Sequence, residues 1–377
     1  MTRYERLMNS IKGIPVDRPP VSFYEINGTE DINSPDPFNI YNDPSWKPLI
    51  ELARDCTDRI VELYIPFKEP SCDELPPEVV EKKTEQNTES IYYTTTITAG
   101  RHKLVEKITR DKDINTQWRT EHLLKSKEDI EAYLSLPLPV ESVTPDISEF
   151  IANEKHLGDS GIVMINTGDP LGFAALLFNM EDYTIIALTE KELFHRLLQR
   201  FSDIIIPRIR AIANALPGRL WRIAGPEFAS PPYLPPELFR EYVTEYDTQI
   251  VDIIKKSGGY PRIHSHGNLA KILDHIAATN CTGIDPIEPP PQGDVSLAYV
   301  RERYGRQMTL FGNLEASDIE NLSSEKFEGK ILAALKDGTA GNGRGFVLMP
   351  SSSPYGRKLS IQSMKNYEKI IEIISRY

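Results

Sequence analysis

Short apolar runs rich in Val, Ile and Leu recur along the chain, each stopped by a polar or glycine-containing step and most followed by a helical period. Val21-Ser-Phe-Tyr-Glu-Ile26 and Arg59-Ile-Val-Glu-Leu-Tyr-Ile65 come first. Ile162-Val-Met-Ile-Asn-Thr167, Arg219-Leu-Trp-Arg-Ile-Ala224 and Pro261-Arg-Ile-His-Ser-His-Gly267 follow. Gly283-Ile-Asp-Pro-Ile-Glu288, Gln307-Met-Thr-Leu-Phe-Gly-Asn313 and Gly345-Phe-Val-Leu-Met-Pro350 complete the series. Helical periods are predicted over 2–12, 49–56, 127–134, 170–188, 190–216, 235–256, 269–279, 295–303, 324–336 and 360–374. In the first of these Tyr4, Leu7, Met8 and Ile11 share one face. One stretch departs from the rhythm. Ser90 to Thr98 and Lys103 to Thr109, joined through Ala99-Gly100, read as a β-hairpin, an insertion at about residues 87–112 placed to overhang a site.

Eight strand runs alternating with helices predict a (β/α)8 TIM barrel, with an N-terminal extension and the hairpin insertion, as a single domain over 1–377. The rival is a doubly wound open sheet. Against it, no Gly-x-Gly-x-x-Gly follows the first run and no P-loop sequence occurs.

Composition narrows the function classes. The chain has 377 residues, 40% of them hydrophobic, and a formal charge of −12, which argues against a nucleic-acid footprint. Cys56, Cys72 and Cys281 show no CxxC spacing, which suggests a reducing compartment. No run approaches the roughly 20 apolar residues that span a bilayer. A cytoplasmic protein acting on a small molecule is expected, with no nucleic-acid or membrane partner; a homodimer is a further expectation.

Candidate chemistry gathers at the strand ends, where a (β/α)8 barrel carries its reactive groups. Those ends hold Tyr24, Glu25 and Asn27, then Tyr64, Asp169, Glu227, His264 and His266, then Asp285, Glu288, Asn313 and Ser352. His264 and His266 stand two apart on a strand and so face the same way, about 7 Å apart by strand rise. They suit two ligands of one metal, or a base and its partner; two inert polar side chains are the plain alternative. With Glu227 they would make an N,N,O set open to a fourth ligand, the pattern of a catalytic zinc. Asp285 and Glu288 suit an acid/base pair, although Glu288 equally suits a salt bridge at the rim. No Gly-x-Ser-x-Gly elbow supports a serine triad.

At these residues the chain resembles the uroporphyrinogen decarboxylase superfamily, which includes the cobamide-dependent methyltransferases. The resemblance is carried by Asp17-Arg-Pro-Pro20, Gly168-Asp-Pro170, Ser230-Pro-Pro-Tyr-Leu-Pro-Pro-Glu-Leu-Phe239, His264-Ser-His-Gly267, Gly283-Ile-Asp285, Gly312-Asn313 and Pro350. It implies a single (β/α)8 barrel. Where true uroporphyrinogen decarboxylases carry a Met-Arg-Gln-Ala-Gly-Arg type run, this chain has Tyr24-Glu-Ile-Asn-Gly-Thr29. Glu25 among substrate carboxylates at ~4 Å would cost several kcal/mol, which argues against a polyanionic tetrapyrrole. The methyltransferase branch is closer. Its zinc site, a His-x-Cys pair and a later Cys, corresponds here to His264-x-His266 and Ser352. Either Glu227 or Asp285 then supplies a third ligand, or no metal is bound. The resemblance implies methyl transfer to or from a corrinoid on a separate protein, with zinc assisting. A cofactor-free decarboxylase of a smaller acid and a non-catalytic binding protein are the alternatives.

Overall fold

The computed structural model describes residues 1–68, 75, 77–138 and 144–377, so Cys72 lies outside it. Among the described residues the strands are β1 (Arg59–Leu63), β2 (Val80–Gln86), β3 (Ser90–Ala99), β4 (His102–Asp111), β5 (Gln117–Glu121) and β6 (Gly161–Gly168). They continue with β7 (Leu220–Ala224), β8 (Tyr260–Ser265), β9 (Gly283–Pro286), β10 (Thr309–Leu314) and β11 (Phe346–Pro350).

β1 and β6 to β11 pair in parallel, in chain order, into one seven-stranded TIM-barrel-like sheet. Each joins the next through helical segments, as parallel pairing requires. The run from Val21 does not form a full strand. Only Val21 bridges to Leu348. Its backbone turns away at Tyr24, which has a φ of 51°. The short segment still lies between the sheet's two edges. Ser22 N donates to Leu348 O at 3.0 Å, and Asp58 N donates to Val21 O at 2.7 Å.

Alternation along the strands builds two separate cores. Val61, Val163, Ile165, Trp221, Ile223, Ile263, Ile284, Leu310 and Leu348 pack outward against the helices. Ile60, Ile162, Met164, Leu220, Phe311, Val347 and Met349 face inward and meet Leu7, Met8 and Ile11. Those three come from the helix Arg3–Lys12, begun by a Thr2 and Glu5 capping box and ended by Gly13. Fully burying Leu7 or Ile11 is worth about 1.5–3 kcal/mol each. The helix thus seats its apolar face in the N-terminal end of the sheet's curl. Further along the same inward face the side chains turn polar, in Glu62, Asn166, Arg222, Arg262 and His264. That change of layer is what places chemistry at the strand ends.

The expected hairpin is present as β3 and β4, but it is the centre of a four-stranded antiparallel sheet flanked by β2 and β5. That unit therefore reaches from Val80 to Glu121, beyond the 87–112 expected. The helix expected over 170–188 is two, Pro170–Ala175 and Met180–Thr189.

Candidate active site

β8 and β9 run side by side with His264 opposite Asp285. His264 Nδ1 lies 2.8 Å from Asp285 Oδ2, and its Nε2 lies 2.9 Å from Arg222 Nη2. A guanidinium can only donate and a carboxylate can only accept. Nε2 is therefore the acceptor, Nδ1 carries the proton, and the ring is neutral. Burial pushes its pKa below the ordinary histidine value, and the neighbouring Arg222 charge adds to this against the pull of Asp285.

Arg222 ties this pair to the rest of the inward layer. Its Nη1 donates to both oxygens of Glu62 at 2.9 Å, and its Nη2 also donates to Tyr24 Oη at 2.7 Å. Asn166 Nδ2 donates to Glu62 as well. Arg262 Nε sits 2.9 Å from Asp285 Oδ1, and its guanidinium carbon lies 4.6 Å from the centre of the Phe311 ring. Burial alone would push the Asp285 carboxyl up; Arg262 and His264 outweigh it and hold the group far below the usual carboxylate range.

His266 stands just past β8, its ring centre 4.7 Å from that of His264. Its Nδ1 lies 2.9 Å from Glu288 Oε1, while Gly267 N donates to Glu288 Oε2 at 2.9 Å. The side chain is 37% exposed, and Nε2 has no hydrogen-bond partner among the described residues. Burial works against a charge here, but the bond and charge of Glu288 prevail and raise the imidazole pKa above its ordinary value. A carboxylate that orients one nitrogen of a histidine and leaves the other open makes an acid/base pair.

The remaining expected residues divide. Glu25 accepts from Ser353 Oγ at 2.9 Å, and Tyr64 is 68% exposed beyond β1. Glu227 Oε2 accepts from Gly225 N at 3.0 Å. Ser352 donates only to the carbonyl of Ser353, and Asn313 pairs with Met349 of β11, one residue before the end of β10. Two others bond to their own turns. Asn27 Oδ1 accepts from Thr29 N and Thr29 Oγ1, closing its own turn. Asp169 is fully buried, and its Oδ1 accepts from Gly172 N at 2.6 Å to cap the helix Pro170–Ala175. That carboxyl lies against Gly225, whose φ of 126° and whose contact with it leave no room for a Cβ. Burial, with Asp247 beside it, pushes the Asp169 carboxyl well up.

Arg222, Glu62 and Arg262 were not anticipated. Each is a charge in the middle of an apolar strand, at the period-2 position that faces inward, and that placement was the available signal.

The expected zinc ligands His264, His266 and Glu227 are not assembled. Both nitrogens of His264 are engaged, and the side that would face an ion is held by the guanidinium of Arg222. His266 Nδ1 is engaged with Glu288. Among the described residues no group of three or more His, Cys, Asp or Glu is placed to hold a metal ion. The donor set does not fit zinc. Protein purified after growth with added zinc is expected to carry less than about a tenth of an equivalent by elemental analysis, because two accessible donors do not make a tetrahedral site. A full equivalent lost on His264→Ala would reverse this assignment.

Comparison with known proteins places the scaffold. The structure matches, with a TM-score of 0.62 and 16% identity, a methyltransferase from Methanosarcina mazei, over 100% of this chain and 99% of that one. A D-psicose 3-epimerase (10% identity, 61% and 91% of the two chains, TM-score 0.32) and a 3-keto-D-glucoside 4-epimerase from E. coli (13%, 60% and 92%, 0.29) match too weakly to carry an argument. No curated protein matches the chain significantly. The family model described as uroporphyrinogen decarboxylase (URO-D) matches residues 119–353, from β5 to the serines that follow β11. On that span, with the parallel sheet and its strand-end histidines, the chain belongs to the uroporphyrinogen decarboxylase family.

Proposed function

We propose that the protein is a methyltransferase of this superfamily in which His266, oriented by Glu288, removes the proton from a small-molecule acceptor so that the acceptor can take a methyl group. The observation that carries the reading is the open Nε2 of a histidine whose Nδ1 is held by a carboxylate. The acceptor X–H gives its proton to Nε2, Glu288 stabilises the imidazolium that forms, and the freed lone pair bonds to the methyl carbon as the bond from that carbon to its donor breaks, the electron pair leaving with the donor. His264, Arg222 and Tyr24 form the fixed floor beside the dyad. The similarity to a methyltransferase supports the reaction class.

A methylated corrinoid on a separate protein is the donor in this reading and would supply the activated methyl group. The exposed rings of Tyr233 and Tyr355, on segments that follow β7 and β11, are apolar surface suited to a flat macrocycle. A carboxy-lyase reading would have the His266 imidazolium protonate a carbanion. Glu25 and Glu227 count against it, because a carboxylate substrate would enter beside them.

Incubation with methylcobalamin and a panel of amines, alcohols and thiols, followed by corrin absorbance, tests the reaction. Demethylation with at least one acceptor is expected. Its kcat/KM should rise with pH through an inflection above about 6.5, since the base must be neutral and Glu288 raises its pKa. A profile that falls through that range would make His266 an acid and sink the assignment.

A further inference from the structure

We infer that the chain carries a second ligand site, at the opposite end of the sheet from the histidines. A phosphate-type oxyanion, free or as the phosphoryl group of an ester, binds in the cleft between the end of the helix Arg3–Lys12 and the glycine-rich loop 338–345. The inference does not depend on the methyl-transfer reading.

The cleft opens where β11 begins and measures about 240 Å³, far more than the roughly 30 Å³ share of one water. No Asp or Glu lines it, although the chain as a whole carries a formal charge of −12. Arg301 and Arg344 do line it. Arg301, in the last turn of the helix Leu297–Tyr304, is 8% exposed. Its Nε donates to Ala340 O at 2.8 Å and its Nη1 to Arg344 O, while Nη2 has no partner among the described residues. Arg344 makes one side-chain bond, from Nη1 to Ile11 O at 2.6 Å. A guanidinium has five donors, so these three bonds leave most of the two forks open. Neither arginine forms an ion pair among the described residues, and no carboxylate opposes the burial that lowers the pKa of Arg301. An arginine is seldom so buried without an anion to match it. Arg200 is likewise buried on carbonyl oxygens, but its guanidinium lies over the Tyr133 ring instead of lining this cleft.

The loop adds backbone donors. The N–H groups of Gly341, Asn342 and Gly343 meet no acceptor among the described residues, while Ala340 N and Arg344 N on either side are bonded to Asp337 O and Gly305 O. Consecutive free N–H groups on a turning loop form a concavity that suits an anion. Two positions there require glycine. Gly341 has a φ of 65°, and a Cβ on Gly343 would come within 2.4 Å of Gly305 O. Ser10, also in the lining and 1% exposed, keeps an Oγ with no hydrogen-bond partner. Two planar forks and a row of amide donors, with no carboxylate among them, match a tetrahedral oxyanion.

Calorimetric titration of the full chain with inorganic phosphate, glycerol 3-phosphate and glycerol tests this. The two anions are expected to bind, more weakly as salt rises, and glycerol is not. Tighter phosphate marks the free ion as the ligand; a tighter ester marks a phosphorylated small molecule. Arg344→Gln removes a half-buried charge held by one bond and should fold as the parent does. It is expected to weaken the anions at least about tenfold, the worth of a charge-assisted hydrogen bond. Arg301→Lys keeps the charge but loses the fork, and should weaken them by a similar factor. Hydrogen exchange read by mass spectrometry locates the ion: phosphate should slow exchange at 341–343 in the parent and not in Arg344→Gln. Failure of both anions to bind at millimolar concentration, affinity untouched by both arginine variants, or protection confined to residues around His266 would each overturn the inference. His266→Gln should bind phosphate as the parent does. Turnover lost in that variant therefore leaves this site standing, and an absent phosphate site leaves the proposed base untouched.

Discussion

His266→Gln is expected to lower kcat/KM by about 10²–10⁴-fold, the usual worth of a positioned general base. Glutamine keeps a polar side chain of similar reach but has no nitrogen that can accept a proton at neutral pH. The fold should tolerate it, since His266 is partly open to solvent and its main tie is the one bond to Glu288. Unfolding free energy should move by less than about 1 kcal/mol. Glu288→Gln should also cost activity. A neutral amide no longer demands the proton on Nδ1, and a proton shifted to Nε2 removes the base from the open side. The two residues act as one unit, so the double variant should be no slower than His266→Gln alone. Additive losses would mean that Glu288 works on substrate independently of the histidine.

Asp285→Ala is expected to have the largest effect on stability. The carboxylate is fully buried between Arg262 and His264. Removing it strands a buried guanidinium and an unpaired imidazole N–H, a change that costs roughly 3–5 kcal/mol. Urea unfolding monitored by tryptophan fluorescence would read this as a lower midpoint at unchanged slope. Some of the loss should be felt at the site, because Asp285 fixes the His264 proton that in turn directs Arg222 and Tyr24. The pH dependence has a definite sign. The folded carboxyl lies below its unfolded value of about 3.9, so its contribution is complete above that value and is lost as pH falls toward the folded one. The variant should therefore lack part of the acid transition of the parent. A loss under about 1 kcal/mol would show that water reaches Arg262 and replaces the carboxylate.

The parallel sheet was legible because buried strands leave long runs of branched apolar residues, and seven of the eight expected strands fall where those runs lie. The first run misled because its pattern of side chains is that of a strand while its backbone turns at Tyr24, where a positive φ and the bond from Ile26 N to Phe23 O end the pairing after Ser22. β2 was missed for the opposite reason. Val80–Gln86 lies at the edge of its sheet with most of its charged side chains in water, so no apolar period marks it. In the site, the gathering of histidines and carboxylates could be read from strand ends. What each nitrogen does could not. The tautomer of His264 is decided by Arg222, a residue more than forty positions away whose inward direction depends on strand register. That Asp169 Oδ1 caps the helix Pro170–Ala175 was likewise not legible, because a strand end does not show which backbone N–H its carboxylate will meet.

The helix Arg3–Lys12 has one more consequence. With Leu7, Met8 and Ile11 packed against the inward apolar layer at the N-terminal ends of the strands, that end of the inward face is taken up by hydrocarbon, and the polar groups from Glu62 to His264 look toward the opposite end.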